Sequence, residues 1–215
     1  MIITIDGPAG VGKTTISRSV AENMQVAYLD SGAMFRAIAL SLGQESWTWP
    51  EDRLLRRLGD FCFSLEGVGQ QSRLLQNDVP LSEAIRSEAV GIWASHLGRL
   101  PCVREKLKQA QQALGRDTDL VAEGRDMGTV VFPEAAYKFF LEADPRERAR
   151  RRFRQLKAMS VDTDFKELVD DIQKRDQQDR NRSVAPLQPA RDALLIDTTA
   201  LSQEAVLRTI LQYLQ

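Results

Sequence analysis

Gly7-Pro8-Ala9-Gly10-Val11-Gly12-Lys13-Thr14 is the stretch on which the reading of the chain turns. It fits the pattern G-x-x-x-x-G-K-[ST] without a gap. Upstream, Ile2–Ile5 is a short β-branched run; downstream, Lys13–Met24 puts Ile16, Val20 and Met24 on one helical face. Strand, glycine-rich turn and helix in that order form a cradle for phosphate. The glycines let backbone N–H groups turn inward, and the helix N-terminus adds partial positive charge. Lys13 is then expected to reach the β- and γ-phosphates of a nucleoside triphosphate, with the Thr14 hydroxyl on Mg²⁺.

Further along, Val26–Leu29, Leu120–Ala122, Tyr137–Leu141 and Leu194–Ile196 are also short, apolar and β-branched or aromatic. With Ile2–Ile5 they predict a parallel five-stranded sheet of the P-loop NTPase type, flanked by helices in an α/β fold. The helices carry start signals. Asp144-Pro145-Arg146-Glu147 offers an N-cap, a proline at the first position and a capping-box glutamate. Asp164 with Glu167 repeats the box, and Ser202 heads a final helix carrying Val206, Ile210 and Leu214.

One segment interrupts this rhythm. Phe61–Glu66 and Arg73–Gln76 read as two strands around a Gly67-Val68-Gly69 turn, and Asn77-Asp78 signals another turn. We therefore expect a small antiparallel insert at 59–99 within a core of 1–58 and 100–215. The charged helices around Met159–Thr163 suit a helical lid at about 146–163.

The 215 residues carry 29 basic and 30 acidic side chains, a formal net charge of −1, so no overall field favours nucleic acid or an anionic membrane. With 43% hydrophobic residues a sizeable core can form. The apolar N-terminal run lacks a basic leader and is short for a signal peptide or membrane span. Cys62 and Cys102 are far apart and outside any metal-ligand spacing, which predicts free buried thiols in a reducing compartment. The expectation is a cytoplasmic monomer acting on small molecules, with neither nucleic acid nor membrane as partner.

Anion affinity must therefore come from local arginines, whose planar forks grip phosphate oxygens. Arg36 follows the second strand, in Asp30-Ser31-Gly32-Ala33-Met34-Phe35-Arg36, and Arg125-Asp126 follows the third. Positions just past strand C-termini are where open α/β sheets bind ligands. Arg146, Arg148, Arg150, Arg151, Arg152 and Arg154 crowd one helix, and Arg175, Asp179, Arg180 and Arg182 close the next. Those two groups read equally as solvated helical faces. No Asn-Lys pair is present, so the guanine-reading element of regulatory GTPases is missing, and a small-molecule kinase is the leading class.

Four runs make the comparison specific: Asp30-Ser31-Gly32-Ala33, Gly124-Arg125-Asp126-Met127-Gly128-Thr129-Val130-Val131-Phe132-Pro133, Asp179-Arg180-Asn181-Arg182 and Ser183-Val184-Ala185-Pro186-Leu187. In order and spread over nearly the whole chain, they resemble the bacterial cytidylate kinases, nucleoside monophosphate kinases of the P-loop class. The resemblance implies transfer of the γ-phosphoryl group of ATP to CMP or dCMP, with Mg²⁺. It implies that Gly7, Pro8, Ala9, Gly10, Val11, Gly12, Lys13, Thr14 and Thr15 bind the ATP phosphates. Ser31, Arg104 and Asp126 match positions that read cytosine; Ser95, Arg175 and Asp179 match positions near the sugar. Arg36, Arg125 and Arg182 match arginines that hold the acceptor phosphate and, with Lys13, carry the catalysis. Ser95 also reads as an ordinary helical serine, and Arg104 as a partner for nearby acids. The lone His96 reads as structural or solvent-facing.

Three positions depart from the family pattern: Phe35 where tyrosine is frequent, Gln178 where arginine occurs, and Glu123 for the more usual aspartate. Kinases of UMP or AMP, and small-metabolite kinases of the shikimate or gluconate type, remain as rivals, as does a P-loop protein that binds ATP without turnover. A closing insert and lid are expected, since an open site with ATP bound risks hydrolysis.

Overall fold

The structure is a computed structural model that describes residues 1–158 and 160–214. Met159, the first residue of the expected Met159–Thr163 junction, lies outside the described residues. The chain opens with β1 (Ile2–Asp6), α1 (Lys13–Met24), β2 (Ala27–Asp30), α2 (Ser31–Leu42) and α3 (Glu51–Gly59). The insert contributes β3 (Phe63–Glu66), β4 (Arg73–Gln76), β5 (Val79–Pro80) and α4 (Glu88–Leu97). Then come α5 (Pro101–Leu114), β6 (Leu120–Gly124), β7 (Tyr137–Glu142), α6 (Pro145–Ala158) and α7 (Phe165–Asn181). β8 (Leu194–Asp197) and α8 (Gln203–Tyr213) close the fold.

β1, β2, β6, β7 and β8 form a five-stranded sheet in the order β2-β6-β1-β7-β8, with every pairing parallel. All five strands lie where the apolar runs predict them, each ending one or two residues later than the run. Alternate residues feed two cores. Ile3, Ile5, Tyr28, Val121, Phe139 and Leu141 point toward α1 and α8, where they meet Ile16, Val20, Val206 and Ile210. Ala27, Leu29, Leu120 and Ala122 point the other way, onto Met34, Ile38, Leu97, Val103 and Leu107. Each large side chain buried there contributes roughly 1.5–3 kcal/mol. Both faces are covered, which is why the strands read as unbroken apolar runs.

The capping signals act as expected. The Asp144 carboxylate accepts from Arg146 and Glu147 N–H, Asp164 from Glu167 N–H, and Ser202 from Ala205 N–H.

The insert differs from expectation in having three strands, in the order β3-β4-β5. β5 is two residues long and contains Pro80; a proline at an edge costs no ladder bond, and two residues give no periodicity to read. The Asn77-Asp78 turn is present, with both φ angles positive. The closed end of the β3–β4 hairpin is fastened to the core. Gly69 N–H donates to Val26 O at 2.8 Å, Gln70 N–H to Glu22 Oε2 at 2.8 Å, and Tyr28 N–H to Ser72 Oγ at 2.9 Å. Gly69 has φ +53°, and a Cβ there would run into Glu22.

The expectation of buried thiols fails for Cys62, which is exposed just before β3, where the hairpin leaves the core; Cys102 is half-buried, and both are free. His96 stacks on Trp47, ring centroids 4.5 Å apart, a packing role. Among the described residues no helix is long and apolar enough to cross a membrane.

Candidate active site

The turn after β1 has the shape the sequence asks of it. Gly7 sits at φ +151°, and a Cβ there would stand 2.3 Å from Leu141 O, so only glycine lets β7 approach this closely. Gly12, at φ +98°, precedes the first turn of α1. Lys13 is nearly buried, its Nζ donating to Pro8 O across the loop at 2.8 Å. Its pKa is pulled down to about 7, first by burial and then by the Arg125 charge, with Glu123 and Asp6 opposing. A second negative group on the loop would restore its charge. Thr14 and Thr15 are exposed in the first turn, and Thr14 Oγ1 donates to Glu123 Oε1 at 2.7 Å.

Glu123 ends β6, buried, and its pKa is raised to about 7 by burial and the Asp30 charge, against Lys13, Tyr28 and Thr14. Its Oε1 accepts from both Thr14 and the Tyr28 hydroxyl, while Oε2 is buried without a hydrogen-bond partner among the described residues. An orphaned carboxylate oxygen beside a threonine hydroxyl and a phosphate cradle fits a divalent cation.

Beyond β2 and β6 the predicted acceptor residues converge. Asp30 caps α2 by accepting from Ala33 N–H at 2.9 Å, which leaves Ser31 in the first turn, buried. A Cβ on Gly124 would stand 2.6 Å from Ser31 Oγ, so the hydroxyl packs directly over the start of the Arg125-Asp126 arm. Asp6 holds that arm by its backbone, accepting from Met127 N–H at 2.9 Å and Gly128 N–H at 2.8 Å. A π-helical turn over Met127–Val131 follows.

Asp126 meets Arg104 at 2.5 Å in a buried ion pair, and Arg104 also donates to Gly98 O at 3.1 Å. The Phe35 ring lies under the Arg104 guanidinium, 5.4 Å away, so the departure from tyrosine leaves a cation–π platform. Arg125 Nε donates to Asp179 at 3.0 Å. Burial raises the Asp179 pKa, but Arg125 and then Arg175 and Arg182 more than offset this and hold it below the usual range. Arg182 donates through Nε to Ala185 O, so the Ser183–Leu187 run serves to aim it. Its Nη2 lies 3.5 Å from Asp126 Oδ1 without a hydrogen bond. Arg36 reaches the insert, donating to Ile85 O at 3.0 Å and Ser87 O at 3.2 Å over Gly91. Burial lowers the pKa of both arginines, with neighbouring guanidiniums adding to it. Arg175 is exposed on α7, and its pKa is lowered to about 10 by crowding from surrounding protein first and then by the Arg125 charge. Such a crowd of desolvated cations calls for an anion.

Ser95 lies half-buried on α4, one turn beyond Gly91, where Arg36 passes, and makes no side-chain hydrogen bond to the described residues. Two of the six arginines on α6 are committed to anchoring. Arg148, 2% exposed, pairs bidentately with Asp176 and donates to Ala9 O and Ala143 O. Arg151 donates to Val11 O and Thr198 O. Arg152 is exposed, one turn beyond Arg148, and its charge is felt at Arg36.

The cytidylate kinase profile matches residues 3–215. The chain belongs to the cytidylate kinase family. A cytidylate kinase of Maridesulfovibrio salexigens is 53% identical over 205 residues, covering 95% of this chain and 92% of that one. Another, from Oleidesulfovibrio alaskensis, is 52% identical over 215 residues, covering 100% and 98%. A solved shikimate kinase from Bacteroides thetaiotaomicron shares the fold alone, at 15% identity and TM-score 0.51, covering 100% of this chain and 98% of that one. Like other cytidylate kinases, this chain is a nucleoside monophosphate kinase, a phosphotransferase. Within this cytidylate kinase site, Asp6 and Tyr28 escaped the reading of the sequence. A polar residue closing a strand and a tyrosine inside one look structural; only their partners, 121 and 95 positions away, reveal them.

Proposed function

We propose that the chain transfers the γ-phosphoryl group of ATP to CMP or dCMP, giving ADP and CDP or dCDP. The observation that carries this reading is the buried Arg104–Asp126 pair, with Arg182 3.5 Å from the same carboxylate and Ser31 packed over Gly124 at the start of the Arg125-Asp126 arm, one strand from the phosphate loop. The carboxylate accepts from the exocyclic amine of cytosine while Arg104 donates to the ring acceptors; uracil would set a carbonyl against the carboxylate. Asp179, Arg175 and Ser95 are assigned to the sugar.

Sheet order supports the division of labour. The phosphate loop follows the central strand β1, and the acceptor residues follow β6 and β2 on one side. On the other side, after β7 and β8, a cleft bordered by Pro8, Asp144, Arg148, Asp197 and Thr199 suits the nucleoside of ATP.

The nucleophile is a phosphate oxygen of the acceptor, already anionic near neutral pH, so no strong general base is needed. Gly7 to Thr15 bind the donor phosphates and Lys13 neutralises them, while Arg36, Arg125 and Arg182 align the acceptor in line and neutralise charge as it develops. Thr14 and Glu123 would hold Mg²⁺, which would supply further neutralisation of the phosphate charge. The core is read as 1–58 and 100–215, the acceptor insert as 59–99 and the lid as about 146–163. Because the hairpin end is fastened to α1 and β2, and the first half of α6 to the phosphate loop by Arg148 and Arg151, we assign acceptor-side closure to 79–99 and donor-side closure to the part of the lid beyond Arg151. The protein is read as a cytoplasmic monomer; its free thiols are in keeping with a reducing compartment.

The test is ADP release with ATP and Mg²⁺, offering CMP, dCMP, UMP, AMP and shikimate in parallel. Turnover led by CMP or dCMP is expected. Turnover led by another acceptor would overturn the assignment of Ser31, Arg104 and Asp126, and ATP binding without any turnover would overturn the reaction.

A further inference from the structure

Tyr28 belongs to the core by its ring and to the active site by its hydroxyl. The ring is 2% exposed on the α1 face of the sheet, with the Arg18 guanidinium 4.4 Å above its centroid. Its hydroxyl donates to Glu123 Oε1, the oxygen that also accepts from Thr14. Glutamate has a longer and freer arm than aspartate, and a free arm would lose the direction of its second oxygen. Here one oxygen is pinned by two hydroxyls from different elements, β2 and α1, so the direction of Oε2 is set by the fold. The residue's main chain has a second attachment: Tyr28 N–H donates to Ser72 Oγ, a buried hydroxyl in the hairpin end of the insert.

We propose that Tyr28 is a positioning residue for phosphoryl transfer, holding Glu123 so that Oε2 and the Thr14 hydroxyl face the cation that accompanies ATP. Partners that orient a metal-binding carboxylate are typically worth about 10–100-fold in metal affinity or activity. The inference rests on the assignment of the phosphate loop to ATP and Mg²⁺ made above.

Tyr28→Phe keeps the ring and removes only the hydroxyl. ATP binding to the full chain is measured by titration calorimetry with and without Mg²⁺, a readout independent of any acceptor. Metal-free ATP affinity should stay within about twofold of the parent, while affinity in Mg²⁺ falls about 10-fold or more. The Mg²⁺ concentration for half-maximal turnover should rise by a similar factor. A loss equal with and without Mg²⁺, or no loss, overturns the proposal. Combined with Glu123→Gln, Tyr28→Phe should add nothing further; an additive loss would count against it equally. A measurement on the unaltered chain covers the case of a variant that does not fold. With ring-labelled tyrosine, only three resonances are present. That of Tyr28 should shift when Mg²⁺ joins the ATP complex and not with ATP alone; the reverse pattern overturns the proposal. Should the parent bind no ATP in either condition, the donor assignment itself has failed, a result distinct from all of these.

Discussion

Arg104 and Asp126 face each other at 2.5 Å with less than a tenth of either side chain exposed, and a second guanidinium, Arg182, stands 3.5 Å from the other oxygen of the same carboxylate. One buried carboxylate thus balances two arginines.

Asp126→Asn should therefore cost stability and specificity together. It leaves Arg104 buried without its counter-charge, a defect worth about 3–5 kcal/mol. An amide can also turn its NH₂ toward a carbonyl, so the kcat/KM preference for CMP over UMP should fall about 10-fold or more, one charged hydrogen bond's worth. Denaturant unfolding and the two specificity constants check this.

Arg182→Ala removes a guanidinium aimed by the Ala185 carbonyl and carrying an unpartnered buried nitrogen. Turnover with CMP should drop about 10³-fold, the scale for losing one transition-state arginine. Binding of ATP alone, followed by calorimetry, should change little.

Asp6 gives the pH dependence. Burial raises its pKa from 3.8 to about 6, against the two backbone N–H groups it accepts from. The folded chain then holds this proton longer than the unfolded one. Its contribution to stability is full below pH 3.8, is lost as pH rises toward 6, and is constant above. Relative to Asp6→Asn, the parent should lose up to about 3 kcal/mol across that window, at 1.36 kcal/mol per pK unit. Unfolding curves of the two proteins between pH 4 and 7 measure it; parallel curves would show that Asp6 is not so perturbed. At pH 7 the variant should also turn over more slowly, since an amide cannot accept from Met127 and Gly128 with both ends.

Arg148→Met should destabilise by about 3–5 kcal/mol, because it strands Asp176 in a buried site and frees Ala9 O. Adding Asp176→Leu should recover most of the stability, yet ATP affinity should remain below the parent's, since Ala9 O in the phosphate loop still lacks its Arg148 donor. Recovery of both would make Arg148 purely a packing residue.

The five core strands, the phosphate loop and the helix caps were legible because each is local: a run, a turn or a cap spans fewer than a dozen residues. The acceptor-side assignments came through resemblance; Ser31 and Arg36 lie on α2, Arg104 on α5, Arg125 and Asp126 just after β6, and Asp179 and Arg182 at the C-terminal end of α7. What sequence could not give depends on rotation and distant partners. Six arginines on α6 look alike in one dimension, but helix rotation aims Arg148 at Asp176 and leaves Arg150, Arg152 and Arg154 outside. Cys62 reads as a buried thiol because its spacing suits neither a disulfide nor a metal, yet it lies exposed just before β3.

The fastening of the hairpin end to α1 bears on how such enzymes can be re-engineered. An acceptor module that touched the rest of the chain only at its two junctions could be exchanged between kinases by cutting at those junctions. Here Glu22 and Arg18 bind the Gln70 backbone from a helix that belongs to the donor half. A chimera built at residues 59 and 99 would inherit a loop without its clasp, so a workable graft must carry the matching surface of α1 with it.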